Sequence, residues 1–374
     1  MKKIILIGSI PPPYHGSSVY FYNLLNSKIN DVFEVEHLDI SDHRNLDNLS
    51  KLDFTNVYLA LKNLLALIIL VLKFKPDLVY IPVASNFLPY LRDGMFILVS
   101  SFFCKAEIVI HLHEGNYFRE VFYKNSSSIV KYFIKHSLSK VNTAIVFTEN
   151  LKSNFKGLVK NIVAFHNGLK TEFTLLDDVC KKNTGGKIKI NFLGNLFESK
   201  GVLDVLNAAV TVIKKNKNVE FNFAGAWSQK EADTKLKALK IIKDNQIENF
   251  VNFCGVISGK EKDNFLRHTD ILVFPTWYPY EGCPMVIIEA MAYCCPVIST
   301  KDVGAIPEMV IDGETGILID KKNPEQLADA IFKILNSSEI RLNMGKSGRI
   351  RFNNYYTHDV NTDNIINTFI KVIN

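Results

Sequence analysis

Two stretches of this chain begin alike: KKIILIG closes at Gly8 and KIKINFLG closes at Gly194. Each is a short apolar, β-branched run ended by glycine, then a loop and a helical pattern, which is how a parallel βαβ domain starts. Two such starts in 374 residues imply two doubly wound domains, because a single core rarely grows to that size. The expected architecture is α/β: two Rossmann-like domains facing each other across a central cleft, with ligands beyond the carboxyl ends of the strands. The first domain is expected over 1–170 and the second over 171–355, with a C-terminal helix at about 356–374 packing back on the first. Lys170 to Lys187 lacks periodicity and reads as the linker.

Strands are expected at Lys3–Ile7, Phe33–Leu38, Leu78–Pro82, Glu107–Leu112 and Thr143–Thr148, then at Val219–Ala224, Val251–Cys254, Ile271–Pro275 and Pro296–Ser299. A helix is expected after the loop PPPYHGSS, from about Val19 to Leu25. In the second half, helices are expected at Gly201–Asn216, Lys230–Asn245, Lys260–His268, Pro284–Tyr293 and Pro324–Asn336. The start of the chain carries two lysines like a signal peptide, but its apolar run breaks at Gly8, too early for a secretory core. The most apolar run, LLALIILVL from Leu64 to Leu72, is far shorter than the roughly 20 residues of a membrane span and is expected as a buried helix. The six cysteines include no C-x-x-C, and adjacent Cys294 and Cys295 cannot readily bridge each other. They read as reduced thiols of a cytoplasmic protein.

The net charge of +6 is concentrated. Ser101 to Lys170 holds 10 Lys and Arg against 4 Asp and Glu, and the remainder balances. That points to a local anionic partner and not to nucleic acid. Within it, SSSIVKYFIKHSLSK (126–140) sets Ile129, Tyr132, Phe133 and Ile134 among Lys131, Lys135, His136 and Lys140. Such a helix either packs on its own domain or lies on an anionic membrane surface.

Several nucleotide chemistries are excluded by missing motifs. There is no G-x-G-x-x-G, no complete phosphate loop (GVISGK is one residue short), no D-x-D for a metal–diphosphate and no zinc spacing. What remains is positional. In FLGNLFESKG a strand ends at Gly194, a loop carries Lys200 and a helix follows, so Lys200 is placed either to meet a diphosphate or to sit in solvent. In YPYEGCPMVIIEAMAYCCPVIST, Glu281 precedes a strand-to-helix turn with Pro284 suited to the first helical position. The amides of Gly282, Cys283, Pro284 (which has none to give), Met285 and Val286 surround that turn, and the free ones can hold an anion or sugar hydroxyls. Glu289 lies two turns further along a largely apolar helix, placed to accept ribose hydroxyls or to form a structural ion pair.

The run Asn252 to Asp320, with FPTWYPYEGCPMVIIEAMAYCCPVIST, VGAIPEMV and DGETGILID, resembles the second domain of retaining GT-B glycosyltransferases of the GT4 type (glycosyl transferases group 1), with their E-x7-E segment. Weaker similarities cover the rest. PPPYHGSS resembles the N-terminal glycine loop, with Gly16 at its glycine. VIHLHEG resembles the strand-end histidine motif and points to His113 in preference to His111. FTENLKSNF and HNGL resemble two further family segments, and FLGNLFESKG resembles F-x-G-R-L-x-x-x-K-G. The resemblance implies that Lys200 meets the donor diphosphate, Glu289 the nucleotide ribose, and Glu281 and His113 the donor sugar. One departure is plain: Asn195 stands where the family has arginine, so the expected clamp has one cation fewer. The implied activity is metal-independent retaining transfer from a UDP- or GDP-linked sugar to a saccharide or lipid-linked acceptor, in bacterial surface polysaccharide assembly at the inner face of the membrane, with no cofactor beyond the donor. A GT-B nucleotide-sugar epimerase and a nucleotide-binding scaffold without turnover are the alternatives.

Overall fold

The computed structural model describes all residues except 13–15, 43–53, 171–179, 181–185 and 229–230, so most of the expected linker lies outside the described residues. The chain divides into two compact units: residues 1–168 with 358–374, and residues 169–357.

In chain order, unit 1 contains β1 (Lys2–Gly8), α1 (Gly16–Leu25), α2 (Ile29–Val32), β2 (Phe33–Asp39), α3 (Phe54–Phe74), β3 (Leu78–Val83), α4 (Phe87–Phe103), β4 (Glu107–Leu112), α5 (Ser128–Leu138), β5 (Thr143–Val146) and β6 (Asn161–Ala164). The six strands form one parallel sheet in the order β2-β1-β3-β4-β5-β6. Its central strands are buried on both faces, which is why they read as continuous apolar runs and not as alternations. On one face Ile4, Leu6, Tyr80, Val109 and Ile145 pack against Phe21 and Leu24 of α1 and against Ile365, Ile366 and Phe369 near the end of the chain. The crossover helices α3, α4 and α5 step along the sheet in one direction, and α4 packs against both of the others.

Unit 2 follows the same plan: β7 (Ile188–Leu193), α6 (Val202–Lys215), β8 (Val219–Ala224), α7 (Ala232–Asp244), β9 (Val251–Gly255), α8 (Gly259–Arg267), β10 (Ile271–Phe274), α9 (Met285–Ala292), β11 (Val297–Thr300), α10 (Ile306–Met309), β12 (Gly316–Ile319), α11 (Pro324–Leu335) and α12 (Ser338–Tyr355). Its parallel sheet runs β12-β11-β10-β7-β8-β9. The last helix, α13 (His358–Ile373), returns to unit 1. The α/β fold of two doubly wound domains is as expected from the sequence.

Three expectations are corrected, and both readings of the basic helix stay open. The apolar run at Leu64–Leu72 is part of the 21-residue α3, which buries only Asn63, Leu67 and Val71 and is long and apolar enough to cross a membrane. Hydropathy identifies an apolar helix but carries no information on how much of its circumference the sheet covers. The cysteines are not all free: Cys180 and Cys294 form a disulfide, 5.2 Å apart at Cα, leaving four thiols. Cys294 indeed cannot reach Cys295, but the fold supplies a partner 114 positions away. In the helix at 126–140, Ile134 is fully buried while Ile129 and Tyr132 stay exposed, so its apolar residues divide between the two faces. Pro284 is the N-cap of α9, with extended ψ, and Met285 is the first helical residue.

Candidate active site

Two constellations sit at the carboxyl ends of the strands, one in each unit, as expected for doubly wound sheets. In unit 2 the chain leaves β7 at Gly194, passes exposed Asn195 and makes a short helical turn at Glu198–Lys200. Gly201 then caps α6 with φ +86°, and any Cβ there would strike the carbonyl of Pro275. The glycine thus lets the Lys200 loop lie directly on the loop after β10, where the Trp277 amide donates to the Ser199 carbonyl at 2.8 Å.

This close approach joins Lys200 to Glu281. Lys200 Nζ donates to Glu281 Oε2 at 2.5 Å, with the two side chains only 15% and 10% exposed. The Thr276 hydroxyl lies 3.1 Å from the same carboxylate oxygen, and the ammonium sits 4.5 Å from the centre of the Tyr278 ring. Behind Glu281, the turn Gly282–Pro284 is held by α10: the Ala305 amide donates to the Gly282 carbonyl at 2.7 Å. Gly304, at φ +51°, packs where a side chain would meet the carbonyls of Glu281 and Gly282. Cys283 is buried with its sulfur against Met309.

Glu289 lies on α9 and pairs with Lys262 of α8 at 2.5 Å. Burial pushes its carboxyl above the ordinary value, and the Lys262 charge and hydrogen bond draw it partly back. Asp204, in the first turn of α6, is also raised, to about 6, chiefly by burial, and its hydrogen bond with Trp277 opposes the rise. Lys262 and Asp204 were not expected from the sequence. Asp204 had a signal, an acid in the first turn after the Lys-Gly step, whereas the Lys262–Glu289 pairing depends on how two helices meet.

In unit 1 the site is of a different kind. A cavity of about 180 Å³ is lined by Gly8, Ser17, Val83, Asp93, His113 and Glu114, among others. His113 follows β4, faces this cavity and is held neutral by burial, its pKa lowered to about 4. His111 is fully buried, 2.7 Å from the Tyr80 hydroxyl and 4.0 Å ring to ring from His113, so it supports the latter from behind. Glu114, beside His113 in HEG, is another residue the sequence reading passed over. Burial raises its carboxyl, Ser85 beside it offsets part of the rise, and Oε2 is buried without a hydrogen-bond partner among the described residues. Asp93 is fully buried, bound to Arg92 and to the Ala84 amide at 2.9 Å. Gly16 opens α1, and no described residue lies within 4 Å of where its Cβ would stand, whereas Gly8 lies against the Phe21 ring.

The structure therefore brings Lys200 and Glu281 together, gives Glu289 a separate partner and leaves Asn195 on the surface. Among the described residues no group of three or more His, Cys, Asp or Glu is placed to hold a metal ion. A further cavity, of about 280 Å³, lies in unit 2 by Lys189, Cys254 and His268 and includes none of these site residues.

Residues 179–351, nearly all of unit 2, match the family Glycosyl transferases group 1. Among curated proteins the chain is similar to the capsular polysaccharide biosynthesis glycosyltransferase CapM of Staphylococcus aureus, with 26% identity over 83% of this chain and 82% of that one. It is also 30% identical to an uncharacterized glycosyltransferase of Methanocaldococcus jannaschii, over 59% of this chain but only 57% of that protein's length. Among solved structures, Anabaena HepE in complex with UDP superposes with a TM-score of 0.74 at 16% identity, covering 99% of this chain and 100% of that one. A glycosyltransferase of Rickettsia africae gives 0.76 at 15%, covering 100% and 99%. At such identities these structures establish the fold, and the fold class is GT-B.

Proposed function

We propose that this chain is a retaining glycosyltransferase that moves a sugar from a nucleotide diphosphate to a saccharide or lipid-linked saccharide acceptor. The reading assigns the donor to unit 2 and the acceptor to unit 1. The observation that carries it is the Lys200–Glu281 pair, set at the carboxyl ends of β7 and β10 inside the segment matched to group 1 transferases. Lys200 retains donors for a diphosphate, and preorganised charge at a leaving group acts where charge grows during reaction. Glu289 takes the ribose hydroxyls in exchange for, or alongside, Lys262. His113, neutral near pH 7, serves the sugar as a hydrogen-bond partner and not as a cation.

In the proposed step the sugar–phosphate bond breaks with its electron pair leaving on the diphosphate. The acceptor hydroxyl attacks from the same face, and its proton passes to the departing phosphate oxygen. Charge neutralisation by Lys200 and backbone amides makes a divalent metal unnecessary in this reading. CapM is named for capsular polysaccharide biosynthesis, and an analogous role in surface polysaccharide assembly, on the cytoplasmic side with basic α5 toward the membrane, is part of the proposal.

A panel of UDP- and GDP-sugars, assayed by nucleotide release with chelator present, tests it. Acceptor-dependent release with an unchanged anomeric configuration is expected. Conversion of the donor to a new nucleotide sugar without acceptor would instead identify an epimerase, and binding without turnover across the panel a scaffold.

A further inference from the structure

Helix α3 presents a surface that the sugar-transfer reading does not use. A helix on the outside of a doubly wound sheet normally keeps one apolar stripe inward and a polar face outward. Here the outward stripe is apolar. Tyr58, Leu61, Leu65, Ile69 and Leu72 follow helical spacing and are each between 51% and 65% exposed, while Asn63, Leu67 and Val71 form the buried side. The neighbouring helices add Phe102 of α4 and Ile129 and Tyr132 of α5, each more than two-thirds exposed. Scattered apolar residues on a surface are ordinary, but a continuous stripe from Tyr58 to Leu72 of one helix marks a contact.

Charge selects the occupant. Lys62 and Lys73 on α3 and Lys135 on α5 are exposed, and α3 and α5 contain no Asp or Glu at all. The one carboxylate on these three helices, Asp93 of α4, is buried and paired with Arg92. An apolar stripe flanked by cations, with no exposed acid on the layer, complements an anionic lipid surface. Topology fixes the mode. α3 connects β2 to β3, and both of these pair with β1, so the helix cannot cross a bilayer without breaking the sheet. It can only lie in the interface plane.

We propose that the outer face of α3, extended by the exposed side chains of α4 and α5, docks this protein on anionic lipid, with Leu61, Leu65 and Ile69 entering the acyl boundary. Crossover helices run antiparallel to the strands they join. The amino-terminal turns of α4 and α5, with Ile129 and Tyr132, are therefore at the same end of the sheet as the His113 cavity, and Phe102 is at the other end.

The test is flotation of the full chain with vesicles of phosphatidylglycerol and phosphatidylcholine, without any sugar nucleotide, so its outcome is independent of catalysis. The wild type is expected to bind anionic vesicles, more weakly as salt rises. Leu61→Ser/Leu65→Ser/Ile69→Ser should weaken partition by roughly tenfold or more, since apolar insertion scales with buried methylene groups. Lys135→Gln should weaken it only on anionic vesicles. Circular dichroism and the thermal midpoint establish that the triple variant is folded. Leu61→Trp supplies a second readout: its fluorescence should be quenched by lipids brominated on the acyl chain. Undiminished binding of the triple variant overturns the proposal, as does absence of quenching. A wild-type dimer that ignores vesicles and is separated by the triple variant would show that the face meets a second copy instead.

Discussion

The candidate sites of the two units differ in how their central residues handle charge. In unit 2 two nearly buried carboxylates are each paired with a lysine, Glu281 with Lys200 and Glu289 with Lys262, both at 2.5 Å. In unit 1 burial suppresses charge. His113 is lowered to about 4, and the Glu114 carboxyl is raised, with one oxygen lacking a hydrogen-bond partner among the described residues. Paired charges suit a ligand that is itself charged and can exchange partners, as a diphosphate does. Neutral donors and acceptors in a small cavity suit hydroxyl groups. In the proposed reaction the contrast separates the charged diphosphate from the hydroxyl-bearing sugar that His113 serves.

The largest effect expected to sharpen the contrast is at the Lys200–Glu281 pair. Lys200→Ala should reduce kcat by about a hundredfold or more, the scale for one electrostatic contact in the transition state. It also leaves Glu281 nearly buried without its counter-charge, so thermal stability should fall and partly return in Lys200→Ala/Glu281→Gln. A single variant with parental turnover would break the assignment. Glu289→Gln should act on binding: about 1.5–3 kcal/mol per lost charged hydrogen bond, read as a donor KM raised tenfold or more with a smaller change in kcat.

The third expectation concerns unit 1. His113 has a folded pKa below its ordinary 6.5, so it contributes stability above that value, and this is lost as pH falls through the window from about 6.5 to about 4. His113→Gln should flatten the fall in thermal midpoint across that window, though His111, lowered further by burial, will retain part of it. An unchanged acid profile would show that His113 is not buried neutral. The smallest effect is expected at Asn195. Its exposed position leaves room for Asn195→Arg, which should lower donor Kd severalfold by adding a bidentate phosphate contact. Weaker binding would mean that the loop is arranged around asparagine.

Much of unit 2 was legible because its site is local. The Lys200 turn and the Glu281–Glu289 segment each lie within one strand–loop–helix step, where glycine, proline and apolar spacing report the backbone directly. Lys262 was not legible, since it meets Glu289 only through the packing of α8 on α9. The same holds for Asp204 with Trp277 and for Cys180 with Cys294, pairs separated by dozens of residues. The short edge strands β6 and β12 and the helix α12 were passed over. Four-residue strands at the margin of a sheet carry little of the apolar signal that marks β1 or β4. Glu114 was visible in HEG, but nothing in its neighbours' identity reveals burial. For α3, the apolar composition was clear and its exposure was not, because exposure is a property of what the rest of the chain leaves uncovered.

The return of α13 to unit 1 has a consequence for how the molecule is made. Ile365, Ile366 and Phe369 belong to the same core as Ile4, Leu6 and Phe21. During synthesis, all the strands of unit 1 emerge before any of unit 2, yet their apolar face waits for the last residues of the chain. Unit 2, whose elements end at Tyr355, can close before them. The half made first is therefore the half finished last. A chain stopped after Thr357 should yield, on limited proteolysis, a resistant fragment from 169–357 and rapid loss of the amino-terminal half. Equal resistance of both halves would show that α13 is dispensable to the core it enters.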